Sequence, residues 1–175
     1  RPALNDISLW TGNVLWIAVG NSVLLGGVSA FLVTLLSMIM VIGLKSSRII
    51  ISKYISTLTT LGYAFPGAVL GLGILIPLAT ADNWFADKIY LITGADPGLL
   101  FTGSAAALII AYCVRFFAIG VGAAESGLAS ISPSIPHVAR SLGTRNSSLI
   151  WKIYQPLMRG SLASAMVLVF VDALK

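Results

Sequence analysis

The sequence predicts an all-α polytopic membrane protein, a helix bundle, and its composition and charge pattern are the reasons. Of its 175 residues, 57% are hydrophobic and 10% are charged, and the mean hydropathy is +0.95. An ordinary soluble domain is about 25% charged, because most of its surface must be wetted. Charged residues are absent from four stretches, residues 7–44, 54–81, 97–114 and 160–171. These features argue against a soluble enzyme, a disordered chain and a nucleic-acid module.

The four charge-free stretches predict four membrane spans, since a helix needs about 20 apolar residues to cross a bilayer. We place the spans at about 21–44, 64–80, 103–124 and 161–175. The first is expected to begin at Gly20-Asn21-Ser22. In the second, Pro66 and Pro77 predict kinks. Gly67 and Gly71 form a G-x-x-x-G pattern that is typical of close helix packing.

The basic residues predict the orientation of these spans. Two loops, 45–63 and 125–160, together hold seven of them: Lys45, Arg48, Lys53, Arg140, Arg145, Lys152 and Arg159. Segments 1–20 and 81–102 hold two basic and four acidic residues. The positive-inside rule therefore places the two basic loops in the cytoplasm. Segment 81–102 is rich in aromatic residues and is expected to lie along the outer membrane surface.

The cytoplasmic loop 131–158 is long for a helix–helix connection and carries a helical pattern. Ser134 and Pro136 predict a helix start, and Gly143 predicts its C-terminal stop. Between them, one helix face holds four apolar residues: Ile135, Val138, Ala139 and Leu142. A second short helix, capped within residues 146–148, is expected to break or kink at Pro156. The pattern allows a docking element or a hairpin that only caps the bundle.

The sequence of this loop resembles the cytoplasmic loop of binding-protein-dependent ABC importer permeases. That family has the pattern E-A-A, three residues, G, nine residues, I-x-L-P. In this register Ala139, Gly143, Ile153 and Pro156 match the family, and the Gly-to-Ile spacing is kept. Three positions depart from the pattern: His137 replaces Glu, Val138 replaces Ala and Gln155 replaces Leu.

Further segments are similar to ferric-iron importer permeases, in which one polypeptide holds two permease halves. These segments are residues 62–67, 111–117, 125–128 and 169–175. The resemblance identifies the chain as most of the second half of such a permease, 1–175 being part of one transmembrane domain. It implies a multi-pass location in the bacterial inner membrane.

The resemblance also implies the partners and the coupling residues. A cytoplasmic ATP-binding subunit would receive the loop helix, a periplasmic substrate-binding protein would deliver the cargo, and a second permease half would complete the path in the lipid bilayer. The residues expected to couple to the ATPase are His137, Val138, Ala139, Arg140, Leu142, Gly143, Ile153 and Pro156. No cofactor, nucleic acid, metal site or catalytic residue is expected, and ATP hydrolysis would take place on the separate subunit.

Two charged residues fall inside predicted spans. Arg115 and Asp172 each lie about 18 Å into a span, at 1.5 Å per residue. An unpaired Arg near the bilayer centre costs about 2.5–3.5 kcal/mol on insertion scales. We hypothesise an interaction between the two. There are two alternatives. Arg115 could form structural contacts with backbone carbonyls or with the other permease half, or it could take part in the substrate path.

Two other functions remain open at this stage. A channel or ion-driven carrier without an ATPase would use intramembrane acidic residues for coupling, and only Asp172 qualifies. A permease for another anion or for a thiamine-like solute would share every feature except the cargo.

Overall fold

The structure is a computed structural model and describes residues 13–46, 59, 65–94, 98, 100–132, 134–144 and 146–175. Within these residues the regular elements are helices, and no strand is present. The helices are α1 (Asn13–Ser46), α2 (Gly67–Thr93), α3 (Ala105–Ala129), α4 (Ser134–Ser141), α5 (Asn146–Leu149) and α6 (Gln155–Leu174). A π-helical turn, Ile150–Tyr154, joins α5 to α6. Four helices are long and apolar enough to span a membrane, which confirms the predicted fold class.

A core of three helices, α1, α3 and α6, organises the described residues. At one end, here called the loop end, the late parts of α1 and α3 pack on the early part of α6. Representative buried residues there are Met38, Ile42, Val121, Leu128, Met158 and Leu162. Toward the other end, Ala30, Val33, Phe116 and Val169 form a second cluster. Consequently α1 and α3 run in the same direction and α6 runs against them, as alternating spans require.

Close approach between helices occurs at two glycines of α3. A Cβ atom on Gly120 would lie 2.7 Å from the Ser37 hydroxyl of α1, and one on Gly127 would lie 2.9 Å from the Cβ of Ser161 in α6. The Ser161 hydroxyl donates to the backbone carbonyl of Ala123. Small residues at these points let the backbones approach closely, as is common between membrane helices.

The predicted G-x-x-x-G contact takes a different form. Gly67 lies against the guanidinium group of Arg115 in α3, and nothing lies within 4 Å of a Cβ placed on Gly71. In the described part of the chain, these two glycines therefore do not form a joint helix-packing surface. The packing role belongs to Gly120 and Gly127 instead.

Helix α1 runs straight through the segment that was expected to start it. Its bounds are Asn13–Ser46, whereas the sequence predicted a start at Gly20-Asn21-Ser22. The Ser22 hydroxyl donates to the Ala18 carbonyl at 3.0 Å. This polar side chain is satisfied within the helix, so it does not need to act as a cap.

Helix α2 differs from its prediction at both ends. Pro66 is the N-cap residue, with φ −57° and ψ 137°, so it precedes the helix rather than kinking it. Pro77 does lie inside the helix. At the other end α2 continues to Thr93, where segment 81–102 was expected to lie on the membrane surface. The helix ends at Gly94, which has φ +70° and donates its N–H to the Tyr90 carbonyl, a left-handed C-terminal stop.

Asp82 explains how α2 continues through a charged position. Its side chain is 0% exposed, and its carboxylate accepts hydrogen bonds from three successive backbone amides. The Leu100 and Phe101 N–H groups donate to Oδ1, both at 3.0 Å, and the Phe101 and Thr102 N–H groups donate to Oδ2, at 2.9 and 2.6 Å. Asp82 thus ties the middle of α2 to the segment that precedes α3, and α2 lies antiparallel to α3.

The π-turn accommodates Pro156 without breaking the last span. The Gln155 N–H donates to the Ile150 carbonyl, an i→i−5 bond that encloses one more residue than an α-helical turn. A proline clashes with the carbonyl four residues earlier, and a widened turn relieves this clash. The expected break at Pro156 is therefore replaced by a continuous rod, 146–174, that begins before the predicted span 161–175.

Replacing Gly120 with Ala is expected to destabilise the core, because the added methyl group would overlap Ser37 and Val33. Overpacking of this kind costs about 1–3 kcal/mol. Thermal unfolding of the full-length protein in detergent should show a lower midpoint for Gly120→Ala. Gly122→Ala is the matched control, since nothing lies within 4 Å of its Cβ. Equal midpoints for the two variants would contradict the close approach of α1 and α3.

Replacing Asp82 with Ala should release the segment 100–102. Hydrogen exchange at these three amides is expected to become roughly tenfold faster. This factor corresponds to the net free energy contributed by one ordinary hydrogen bond. Asp87→Ala, an exposed acidic position of the same helix, should leave the exchange unchanged. Protection that persists at residues 100–102 in Asp82→Ala would show that other contacts hold the segment.

Candidate functional site

Helix α4 is a short helix with a defined C-terminal stop. Gly143 has φ +80°, a conformation that favours glycine. The Gly143 N–H donates to the Arg140 carbonyl at 2.9 Å, and the Thr144 N–H donates to the Ala139 carbonyl at 3.1 Å. This pair of bonds is the Schellman motif. The predicted stop at Gly143 is confirmed.

Two faces of α4 have opposite environments. Pro136 and Ala139 are buried, and Ala139 belongs to the loop-end core cluster. On another side of α4, Ile135 and Val138 are exposed, and so is Leu142, which directly follows the helix and donates its N–H to the Val138 carbonyl. We call these three residues the apolar stripe. Val138 is 58% exposed and Leu142 is 80% exposed.

The sequence assigned Ala139 to the same apolar face as the stripe, and the structure separates them. Ala139 is 8% exposed, because the small side chain lets α4 rest on the bundle beneath it. The larger apolar residues of α4 are thus left at the surface, where no described residue covers them. Exposed apolar groups arranged on one helix side are typical of an interaction surface.

The other predicted coupling residues lie either on the remaining surface of α4 or in the segment that follows this helix. His137 and Arg140 are exposed on the remaining side of α4, and the Ser141 hydroxyl donates to the His137 carbonyl at 3.2 Å. Ile153 is half-buried against the loop-end core. Pro156 is exposed at the start of α6. Three buried residues, Ala139, Leu149 and Tyr154, connect the loop elements to the loop-end core.

Arg115 and Asp172 line a common cavity of about 520 Å³, together with Tyr112, Phe116, Ala173 and Lys175. Both charged side chains are partly buried. Among the described residues, no carboxylate oxygen lies within 4.0 Å of the Arg115 guanidinium nitrogens. The hypothesis of a direct interaction with Asp172 stays a prediction, although the two residues do share one cavity.

The Arg115 side chain is placed by two described neighbours. Its guanidinium carbon lies 5.7 Å from the centroid of the Phe116 ring, within the range of cation–π attraction. Its Nη1 atom contacts Gly67 at the start of α2, where a side chain would collide with it. Phe116 in turn packs near Tyr112, with ring centroids 5.9 Å apart.

Sequence reasoning missed two residues that shape this region. Asp82 was counted as one acidic residue of an outer segment, although an acidic residue within an otherwise apolar helix signals a specific partner. Gly67 was interpreted as a helix-packing residue. No local sequence pattern predicts its contact with Arg115.

In the described ranges no group of three His, Cys, Asp or Glu residues could hold a metal ion. Of the tyrosines, Tyr154 is buried in the loop-end core and Tyr112 lines the cavity. Three residues named in the sequence analysis lie outside the described residues: Arg48, Lys53 and Arg145.

Comparison with known proteins agrees with the motifs. No family model matches the chain. The chain is 27% identical over 175 residues to the ferric transport system permease protein FbpB of Actinobacillus pleuropneumoniae, covering 98% of this chain and 23% of that protein. It is 25% identical over 159 residues to the putative ferric transport system permease protein FbpB 1 of Haemophilus influenzae, covering 91% of this chain and 23% of that protein.

The chain thus spans about a quarter of the length of these curated relatives, 23% in both alignments. Four helices able to span a membrane, found among the described residues, and two permease relatives support a multi-pass protein of the bacterial inner membrane. The chain is therefore similar, along almost its whole length, to one part of the ferric transport system permeases, which confirms the resemblance carried by its motifs.

Proposed function

We propose that the chain is part of the membrane-spanning permease of an ATP-driven importer for ferric iron, and that α4 couples it to a cytoplasmic ATPase. The observation that carries the proposal is the exposed apolar stripe on a helix that is seated on the membrane core. The names of the relatives support iron as the cargo. The separate ATPase would hydrolyse ATP, and a periplasmic protein would deliver the cargo.

The contacts of α4 suit the transfer of force. Ala139 packs in the same cluster as Met38 of α1, Val121 of α3 and Met158 of α6. A partner that moved α4 would therefore act on a cluster to which all three core helices contribute. Because packed interiors resist compression, the displacement would reach the spans rather than being absorbed locally.

The loop around α4 supports the same role. The hydrogen bonds at Gly143 close the helix firmly, and the rod 146–174 leads from the loop directly into the last span. The proposed coupling unit includes His137 and Arg140 beside the stripe, with Ile153 and Pro156 where the rod begins. A second permease half would complete the translocation path.

Placing an acidic side chain on the apolar stripe should weaken ATPase binding. Val138→Asp and Leu142→Asp are each expected to lower co-purification of the ATPase with the full-length permease about tenfold, since central interface residues often contribute this much. Ser141→Asp adds the same charge to an exposed site of the same helix, outside the stripe, and should have a much smaller effect. Co-purification that is equal in all three variants would exclude the stripe as the docking surface.

A second substitution tests the shape of α4 rather than its apolar surface. Gly143→Pro cannot adopt φ +80° and removes the N–H that bonds to Arg140, so the end of the helix should unravel. ATP-dependent uptake by the full transporter is expected to fall at least about tenfold, as for loss of a central contact. Gly160→Ala, where nothing lies within 4 Å of the added Cβ, serves as the control. Uptake and ATPase association that both survive Gly143→Pro would contradict the coupling role of α4.

A further inference from the structure

We propose that the cavity at Arg115 binds anionic oxygen atoms of the transported solute, and that Gly67 positions the Arg115 guanidinium there. The proposal rests on the proposed function for the identity of the solute as cargo. The binding chemistry itself depends only on the described residues of the cavity.

The depth and the charge of Arg115 are the first argument. The residue lies about 15 Å along α3 from Ala105, at 1.5 Å per residue, well inside a helix long enough to span a membrane. No described carboxylate lies within ion-pair distance of it. Charged residues in such positions usually face a water-filled path and mark the route of a solute.

The composition of the cavity is the second argument. Its volume is about 520 Å³, and its lining contains two cationic side chains, Arg115 and Lys175, against one carboxylate, Asp172. The hydroxyl group of Tyr112 adds a hydrogen-bond donor. A guanidinium donates paired hydrogen bonds to oxyanions and repels a bare metal cation. The cavity therefore suits a small oxyanion, or a metal ion presented by oxyanion ligands.

The absence of a side chain at residue 67 is the third argument. A Cβ atom there would occupy the space of the Arg115 Nη1 atom and lie 3.2 Å from its guanidinium carbon. Any larger residue would push the guanidinium away from its present position. By contrast, Gly71 and Gly73 have nothing within 4 Å of an added Cβ. Gly67 thus acts as a positioning residue for Arg115.

The experiment measures binding of inorganic phosphate to the full-length permease in a phosphate-free detergent, without phospholipid headgroups. A ligand that binds the folded state raises the unfolding temperature in a concentration-dependent way. Phosphate should stabilise the wild-type protein more than chloride at equal ionic strength. In Arg115→Gln the phosphate concentration that gives half-maximal stabilisation is expected to rise about tenfold or more. A change of this size corresponds to the loss of one charge-assisted hydrogen bond.

Four further variants separate positioning from general damage. Gly67→Ala should weaken phosphate binding in the same direction as Arg115→Gln, whereas Gly71→Ala and Lys88→Gln should respond as the wild type does. Arg115→Lys, which keeps the charge but loses the paired donors, should bind with intermediate strength. Co-purification of the ATPase, measured in parallel, should be unchanged in all of them, so a failure here is distinguishable from a failure of the coupling proposal.

Each contrary result overturns a defined part of the proposal. A wild-type protein that does not respond to phosphate, or an Arg115→Gln variant that responds normally, would exclude an oxyanion site at Arg115. A normal response of Gly67→Ala would remove the positioning role of Gly67. An equal loss in Gly71→Ala would show that α2 tolerates no added methyl group, and that the effect of Gly67→Ala is structural.

Discussion

The close approach of α3 to α1 and α6 is the contact on which the rest of the structure depends. The lack of a side chain at Gly120 lets α1 approach α3 closely, and the lack of one at Gly127 does the same for α6. The three helices therefore pack together and bury the loop-end core. In a membrane, lipid tails compete with apolar side chains for the helix surfaces, and close backbone packing supplies the association that the hydrophobic effect does not. Without these two contacts the loop-end core, into which Ala139 of α4 packs, would not form.

Helix α2 is attached to this core in a different way. Two of its described contacts lie at different levels: the hydrogen bonds of Asp82 to residues 100–102, just before α3, and the steric contact of Gly67 with Arg115 near the middle of α3. Much of its remaining surface is exposed and apolar. Since the lipid region offers no water, a buried carboxylate persists only where it is fully satisfied, and the three amides of residues 100–102 meet this need. The helix is thus anchored by a polar contact rather than by a broad apolar interface.

The features that were predicted correctly from the sequence are those with a local physical cause. Four apolar stretches predicted four spans, and Gly143 was expected to end a helix because a left-handed residue at that place favours glycine. Other features depend on contacts between distant residues. The burial of Ala139 apart from Val138 requires knowledge of the core beneath α4, and the continuation of α2 requires the amides that reach Asp82 from the next segment. The contact of Gly67 with Arg115 joins residues 48 positions apart, and no local pattern specifies it.

The π-turn at Ile150–Tyr154 has a geometric consequence for the last membrane-spanning helix. Buried residues along the rod occur at Leu149, Tyr154, Met158 and Leu162, so the first interval is five residues and the next two are four. The wide turn absorbs the extra residue and keeps all four on one side. It therefore sets the rotational angle between the short helix α5 and the last span. A one-residue deletion within the turn would keep this angle, but it would return Pro156 to a regular α-helical turn, where its ring clashes with the carbonyl four residues earlier. The same deletion one turn later would rotate the span against the loop by about 100°, the angle per residue of a helix with 3.6 residues per turn.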